Sequence, residues 1–158
     1  MAKEQTNEQP LGGFTRDEYE KLLKLVYLGN WMVNAIRHPD DELEDFKQIK
    51  SKFLALTSRY GLEDYAEYDD EKQLCYASEK LSDHPEVVRM RDEYDDEVFW
   101  GELIIRLTRR DLLSQYGRDK VKQMDLEERV EKEAEIEQKY WQEFRENGLE
   151  RLGIAEAK

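Results

Sequence analysis

Asn30, Asn34 and Arg37 fall at i, i+4 and i+7. In a helix that spacing sets them on one line, which Tyr19 and Leu23 extend. They lie where the sequence around them turns apolar (Leu28, Trp31, Ala35). Amides and a guanidinium in such surroundings need partners, because a buried polar group without one costs about 1–3 kcal/mol. The sequence offers Glu102, in a narrow polar strip flanked by Phe99, Leu103 and Ile105. Polar groups converging in an apolar setting are what a small-ligand pocket is made of. Two arrangements are open. Either the strips face each other, with Glu102 accepting from Arg37 or an Asn amide, or both face water.

A second kind of chemistry lies in the carboxylates. The net charge of −13 is concentrated in one quarter of the chain: residues 62–102 hold 15 acidic and 4 basic side chains. Glu67, Asp69, Asp70 and Glu71, with Glu93, Asp95 and Asp96, are the candidate acidic interaction surface. The pentapeptide EYDDE occurs at both places, and each copy is read as the acidic first turn of a helix. A field of this sign repels nucleic acid and membrane surfaces and attracts basic partners.

Three pairs, Glu42/Asp45, Glu67/Asp70 and Glu93/Asp96, have the Glu-x-x-Asp spacing that puts two carboxylates on one helix face, where they can hold Mg²⁺. With 38 acidic residues in 158, chance supplies about nine acid-x-x-acid pairs. The pairs resemble the pattern of the all-α nucleoside triphosphate pyrophosphatases, a Glu-x-x-Glu helix followed by a Glu-x-x-Asp helix, although the first pair here closes on Asp45. The resemblance implies a divalent-metal hydrolase as the alternative function.

Other constellations are missing. His38 and His84 each precede a proline and have no Glu three residues earlier, so they read as helix-boundary residues. There is no His-Glu-x-x-His, no Cys-x-x-Cys and no phosphate loop. Cys75 reads as a packing residue. Arg106, Arg109, Arg110, Arg118, Lys120 and Lys122 form the basic cluster, read as complementing a helix C-terminus. No catalytic residue, metal ligand or cofactor is expected.

The elements that must position these groups are helical. Thr15 and Glu18 form a capping box before a helix of about 16–37. Its core face is expected to be Leu22, Leu25, Val26, Gly29, Met32, Val33 and Ile36, with Gly29 allowing a neighbouring helix close. Pro39 opens a second helix, striped by Leu43, Phe46, Ile49, Phe53, Leu56 and Tyr60 and stopped by Gly61. A short third helix is expected over 69–81. The central helix, about 92–116, is apolar nearly all round and should be buried. Its join to Pro85 is continuous or broken. After a polar link at 118–123, Asp125 and Glu128 open a last helix over 126–147, and Leu149, Leu152 and Ile154 fold back on the core. Strand content should be near zero.

These readings make the chain a disordered lead-in over 1–13, one all-α domain over 14–154 and a frayed end at 155–158. That domain is an irregular bundle of four to five helices with the first and central helices at its core. The lone cysteine and the missing apolar leader make cytoplasmic the expected location. The expected function is that of an acidic, non-enzymatic interaction or regulatory protein. Its partner is expected to be a basic protein, with self-association possible and neither membrane nor nucleic acid bound.

Overall fold

The computed structural model describes residues 13–153; the lead-in up to Gly12, the last residues from Ile154 and the frayed end lie outside them. The chain is predominantly helical. Among the described residues no helix is long and apolar enough to cross a membrane. Contacts within the chain gather into two units, Met1–Asp92 and Glu93–Lys158, described in turn.

In the first unit, α1 (Arg16–Asn34) starts at the expected capping box. Thr15 Oγ1 accepts the Glu18 N–H, while the Glu18 carboxylate accepts the Thr15 N–H at 2.8 Å. A 3₁₀ turn, Pro39–Asp41, leads to α2 (Glu44–Leu54). A second 3₁₀ turn, Thr57–Tyr60, is closed by Gly61 at φ 65°, a left-handed conformation that favours glycine. The expected second helix is therefore broken in two places.

The core of this unit joins Tyr19, Leu23, Leu54, Tyr60, Leu62, Tyr65, Leu81 and Val87. Its centre is an aromatic stack: the Tyr19 and Tyr60 rings lie 3.8 Å apart at 4°. The Tyr19 hydroxyl donates to the Phe53 carbonyl. Burial, then Tyr60 beside it, pushes that hydroxyl up to about 12.

This stack rotates α1 away from the expected face. Tyr19, Leu23 and Asn30 turn inward, while Leu25 is 65% exposed and Met32 52%; Ile36, 91% exposed, lies beyond the end of the helix, which stops short of the expected residue 37. The physical reason is size. A tyrosine buries 150–250 Å² and can satisfy its own hydroxyl, which outweighs a row of smaller aliphatics. Gly29 is not a close-approach site within this unit, since a methyl group there would meet no described atom within 4 Å.

Two strands replace the expected third helix. β1 (Ala66–Asp69) and β2 (Leu74–Ala77) pair antiparallel, Ala66 opposite Ala77 and Asp69 opposite Leu74. The first EYDDE thus lies in a strand and its turn, not in a helix. Asp69 Oδ1 accepts the N–H groups of Glu71 and Lys72, at 2.9 and 3.0 Å, and Gln73 takes φ 55°. A side chain–backbone turn of this kind closes the hairpin with no glycine or proline. Ser51 on α2 accepts the Cys75 N–H at 2.8 Å and holds the hairpin on that helix. Ser78 then leads into the short α3 (Glu79–Ser82), which buries Leu81.

α4 (Pro85–Tyr116) is one continuous helix of 32 residues, so the open question of a break before residue 92 is answered. Proline at its first position loses no helical bond, and His84 Nδ1 accepts the Glu86 N–H at 3.2 Å.

In the second unit, the remainder of α4 is joined by α5 (Arg118–Gln123) and α6 (Leu126–Asn147). The polar link is thus a short helix. Asp125 caps α6 as expected, accepting the Glu128 N–H at 2.8 Å. Aromatic rings couple α4 to α6: Trp100 to Phe144 at 5.4 Å, and Phe144 to Tyr140 at 5.7 Å.

The central helix is not buried all round. Ile104, Thr108 and Leu112, at i, i+4 and i+8, form its buried line, whereas Val98, Phe99 and Ile105 are exposed. Leu149 and Leu152 are exposed too, rather than folded on a core.

The aromatic stack sets the first stability test. Tyr19→Ala should cost about 3–5 kcal/mol in denaturant unfolding, the range of a buried aromatic truncation. Leu25→Ala, on the outward face, should stay within about 0.5 kcal/mol. Equal losses would mean that α1 is rotated as the aliphatic pattern implied.

Candidate functional site

The line Asn30, Asn34, Arg37 lies where α1 gives way to the α1–α2 link. Asn30 is buried and its amide donates to Glu42 Oε1 at 3.1 Å; Lys50 reaches the same oxygen at 3.3 Å. Asn34 donates to the Asn30 carbonyl at 3.0 Å and accepts the Leu43 N–H at 2.9 Å. Arg37 is exposed and donates to the Val33 carbonyl. Asn30 and Asn34 therefore act together: they bind the returning chain to the end of α1.

Glu42 has the role that the sequence suggested for Glu102. Glu102 is exposed and accepts from Arg106, one helical turn on, at 3.2 Å. Burial raises the Glu42 pKa, but the Asn30 amide and the Lys50 ammonium more than offset it, so the net shift is downward. This takes Glu42 out of any metal pair with Asp45, which is exposed. Among the described residues no group of three or more His, Cys, Asp or Glu side chains could hold a metal ion.

A second polar cluster was not anticipated, because its members look like ordinary surface charge in sequence. Lys24 is buried, with Glu20 and Glu86 each at 2.8 Å. Tyr65 donates to Glu20 at 3.3 Å. Burial pulls the Lys24 pKa down, but the two carboxylates reverse that and hold it above the ordinary lysine value. The only available signal was the i, i+4 pair Glu20/Lys24 beside the tyrosine that faces the core.

The candidate acidic residues divide between the two units. On the hairpin, Glu67, Asp70 and Glu71 are exposed, while Asp69 is tied into the turn. On α4, every residue from 92 to 99 is exposed, including Glu93, Asp95, Asp96 and Glu97.

The basic cluster is more structured than the sequence suggested. Arg109, Arg118, Lys122 and Arg129 line a cavity of about 440 Å³, with Leu112, Leu113 and Val121 as its apolar lining. Arg129 pairs with Glu133 at 2.8 Å. Arg109, Arg118 and Lys122 have no ion pair among the described residues. Next to the cavity, Arg110 pairs with Asp111 at 2.8 Å, and Tyr140 is hydrogen-bonded to both.

Cys75 is half-buried and has no disulfide partner, and burial pushes its thiol up, away from the reactive thiolate.

No family model, curated protein or solved structure matches this chain.

The Glu42 junction has a pH signature. Its folded-state pKa lies below the ordinary 4.5. The stability it contributes is therefore complete above that value and is lost as pH falls through the lowered pKa. Glu42→Gln should cost about 1–3 kcal/mol at neutral pH and should flatten the acid limb of a stability–pH profile. An acid limb as steep as that of the wild type would show that Glu42 is not linked to folding.

Proposed function

We propose that this chain is an acidic interaction protein, acting in the cytoplasm, that presents the carboxylates of α4 to a basic protein surface. The observation that carries this reading is the exposed stretch 92–99. Five carboxylates, Asp92, Glu93, Asp95, Asp96 and Glu97, lie there beside the exposed Val98 and Phe99. Apolar side chains left in water next to a run of one charge sign are what a docking surface supplies: area for affinity, and charge for steering and choice of partner. The same carboxylates repel phosphate backbones and anionic lipid headgroups. The exposed hairpin acids, Glu67, Asp70 and Glu71, add to the negative field of the chain. The single free thiol suits a reducing compartment.

Encounter through such a surface is steered by charge, so it weakens as salt shortens the reach of the field. In pull-down from lysate with the full chain as bait, basic partners should be retained at low ionic strength and largely lost at high. Replacing Asp95, Asp96 and Glu97 together with Asn, Asn and Gln should lose the same set at low salt. A partner set indifferent to both salt and neutralisation removes the reading.

A further inference from the structure

In the second unit some charges of each sign make no ion pair among the described residues. Asp95, Asp96 and Glu97 have no ion pair among the described residues, and neither do Arg109, Arg118 and Lys122. Asp95 and Arg109 belong to the same helix, 14 residues apart, which a straight helix holds at about 21 Å. Within one copy of that helix they cannot meet.

Between them the helix presents a regular seam. Asp95, Val98, Glu102, Ile105 and Arg109 recur at alternating spacings of three and four, the pattern of a helix that packs along another. All five side chains are exposed. Gly101 borders the seam, and a methyl group there would meet no described atom within 4 Å, so a second backbone can come close. Acid stands at one end of the seam, base at the other and apolar residues between.

We infer that the partner of this seam is a second copy of the chain, bound antiparallel through α4 about a two-fold axis beside Glu102. The inference rests on the proposed role of the α4 carboxylates and names their partner. A two-fold contact requires that residue i meet j and that j meet i, and this seam satisfies it. Asp95 meets Arg109 of the second copy, and Val98 meets Ile105. Asp95 thereby reaches the cationic cavity that Arg109 lines with Arg118, Lys122 and Arg129, and the reverse contact repeats on the other side of the axis. Glu102 falls at the axis opposite itself, where Arg106, 3.2 Å away in its own chain, supplies the counter-charge. A parallel pairing would place acid against acid and base against base, so the charges select the antiparallel one.

The test is sedimentation of the full chain and of charge-reversed variants, with circular dichroism confirming that each folds. The reversed side chains are exposed, so folding should survive. Wild type should sediment as a dimer that dissociates as salt rises. Asp95→Arg and Arg109→Asp should each weaken self-association by at least about tenfold, since each sets like charges opposite one another. The two single variants mixed together, and the double variant D95R/R109D, should recover it.

A wild type that remains monomeric at low salt overturns the inference, as do single variants that associate like wild type or a double variant that fails to recover. A monomeric wild type that still captures a basic partner through Asp95, Asp96 and Glu97 would leave the interaction reading standing and reject only the second copy. An inorganic phosphate titration followed at Arg109, if it saturates while the chain stays monomeric, would assign the cavity to small anions and likewise reject the dimer.

Discussion

The stack of Tyr19 on Tyr60, with the Tyr19 hydroxyl on the Phe53 carbonyl, determines how the first unit is assembled. One side chain ties α1 to the end of α2 and to the 3₁₀ turn that follows it. Once its rotation is set, the remaining positions on α1 follow from the helical period. Asn30 points inward and must find an acceptor, which Glu42 supplies. Lys24 is buried and needs its two carboxylates. Leu25 and Met32 go to the outside whatever their hydrophobicity. Polar groups inside and aliphatics outside are here two consequences of one aromatic contact.

The second unit obeys a different constraint, in which charge matters more than area. Its buried line, Ile104, Thr108 and Leu112, is narrow, and aromatic rings from α6 complete the packing. Acid then occupies one end of the remaining helix surface and base the other. A helix macrodipole favours that order, which is why the sequence could be read as simple dipole complementation. The structure shows more than a dipole would require: a cavity with four cations, three of them without an ion pair among the described residues, in a protein of net charge −13. Asp95 and Arg109, near opposite ends of that surface, make no ion pair among the described residues, whereas Glu102 and Arg106 between them pair with each other.

Where a single residue decides a local structure, the sequence was legible. Thr15 with Glu18, Asp125 before α6 and Gly61 after Tyr60 all perform the roles their types imply. The hairpin was not legible, because its turn is made by the Asp69 carboxylate and a left-handed Gln73 rather than by glycine or proline. The face of α1 was misread because an aliphatic count gives no weight to a tyrosine able to satisfy its own hydroxyl in the core. Of the candidate site, the line of Asn30 and Asn34 was visible as polar residues in apolar surroundings. Its acceptor was not, since Glu42 sits in a short link between elements and its spacing to Asp45 suggested a metal pair instead. The basic cluster was visible as a composition. That four cations close round a cavity depends on α5, six mainly polar residues with too little apolar pattern to announce a helix.

The claim that the two charged ends of α4 find each other in a second copy is tested most directly by amide hydrogen exchange measured against protein concentration at low salt. Backbone amides of residues 95–109 should exchange more slowly as concentration rises, while those of α2 and the β1–β2 hairpin stay unchanged. Exchange across 95–109 that is the same at every concentration would contradict it.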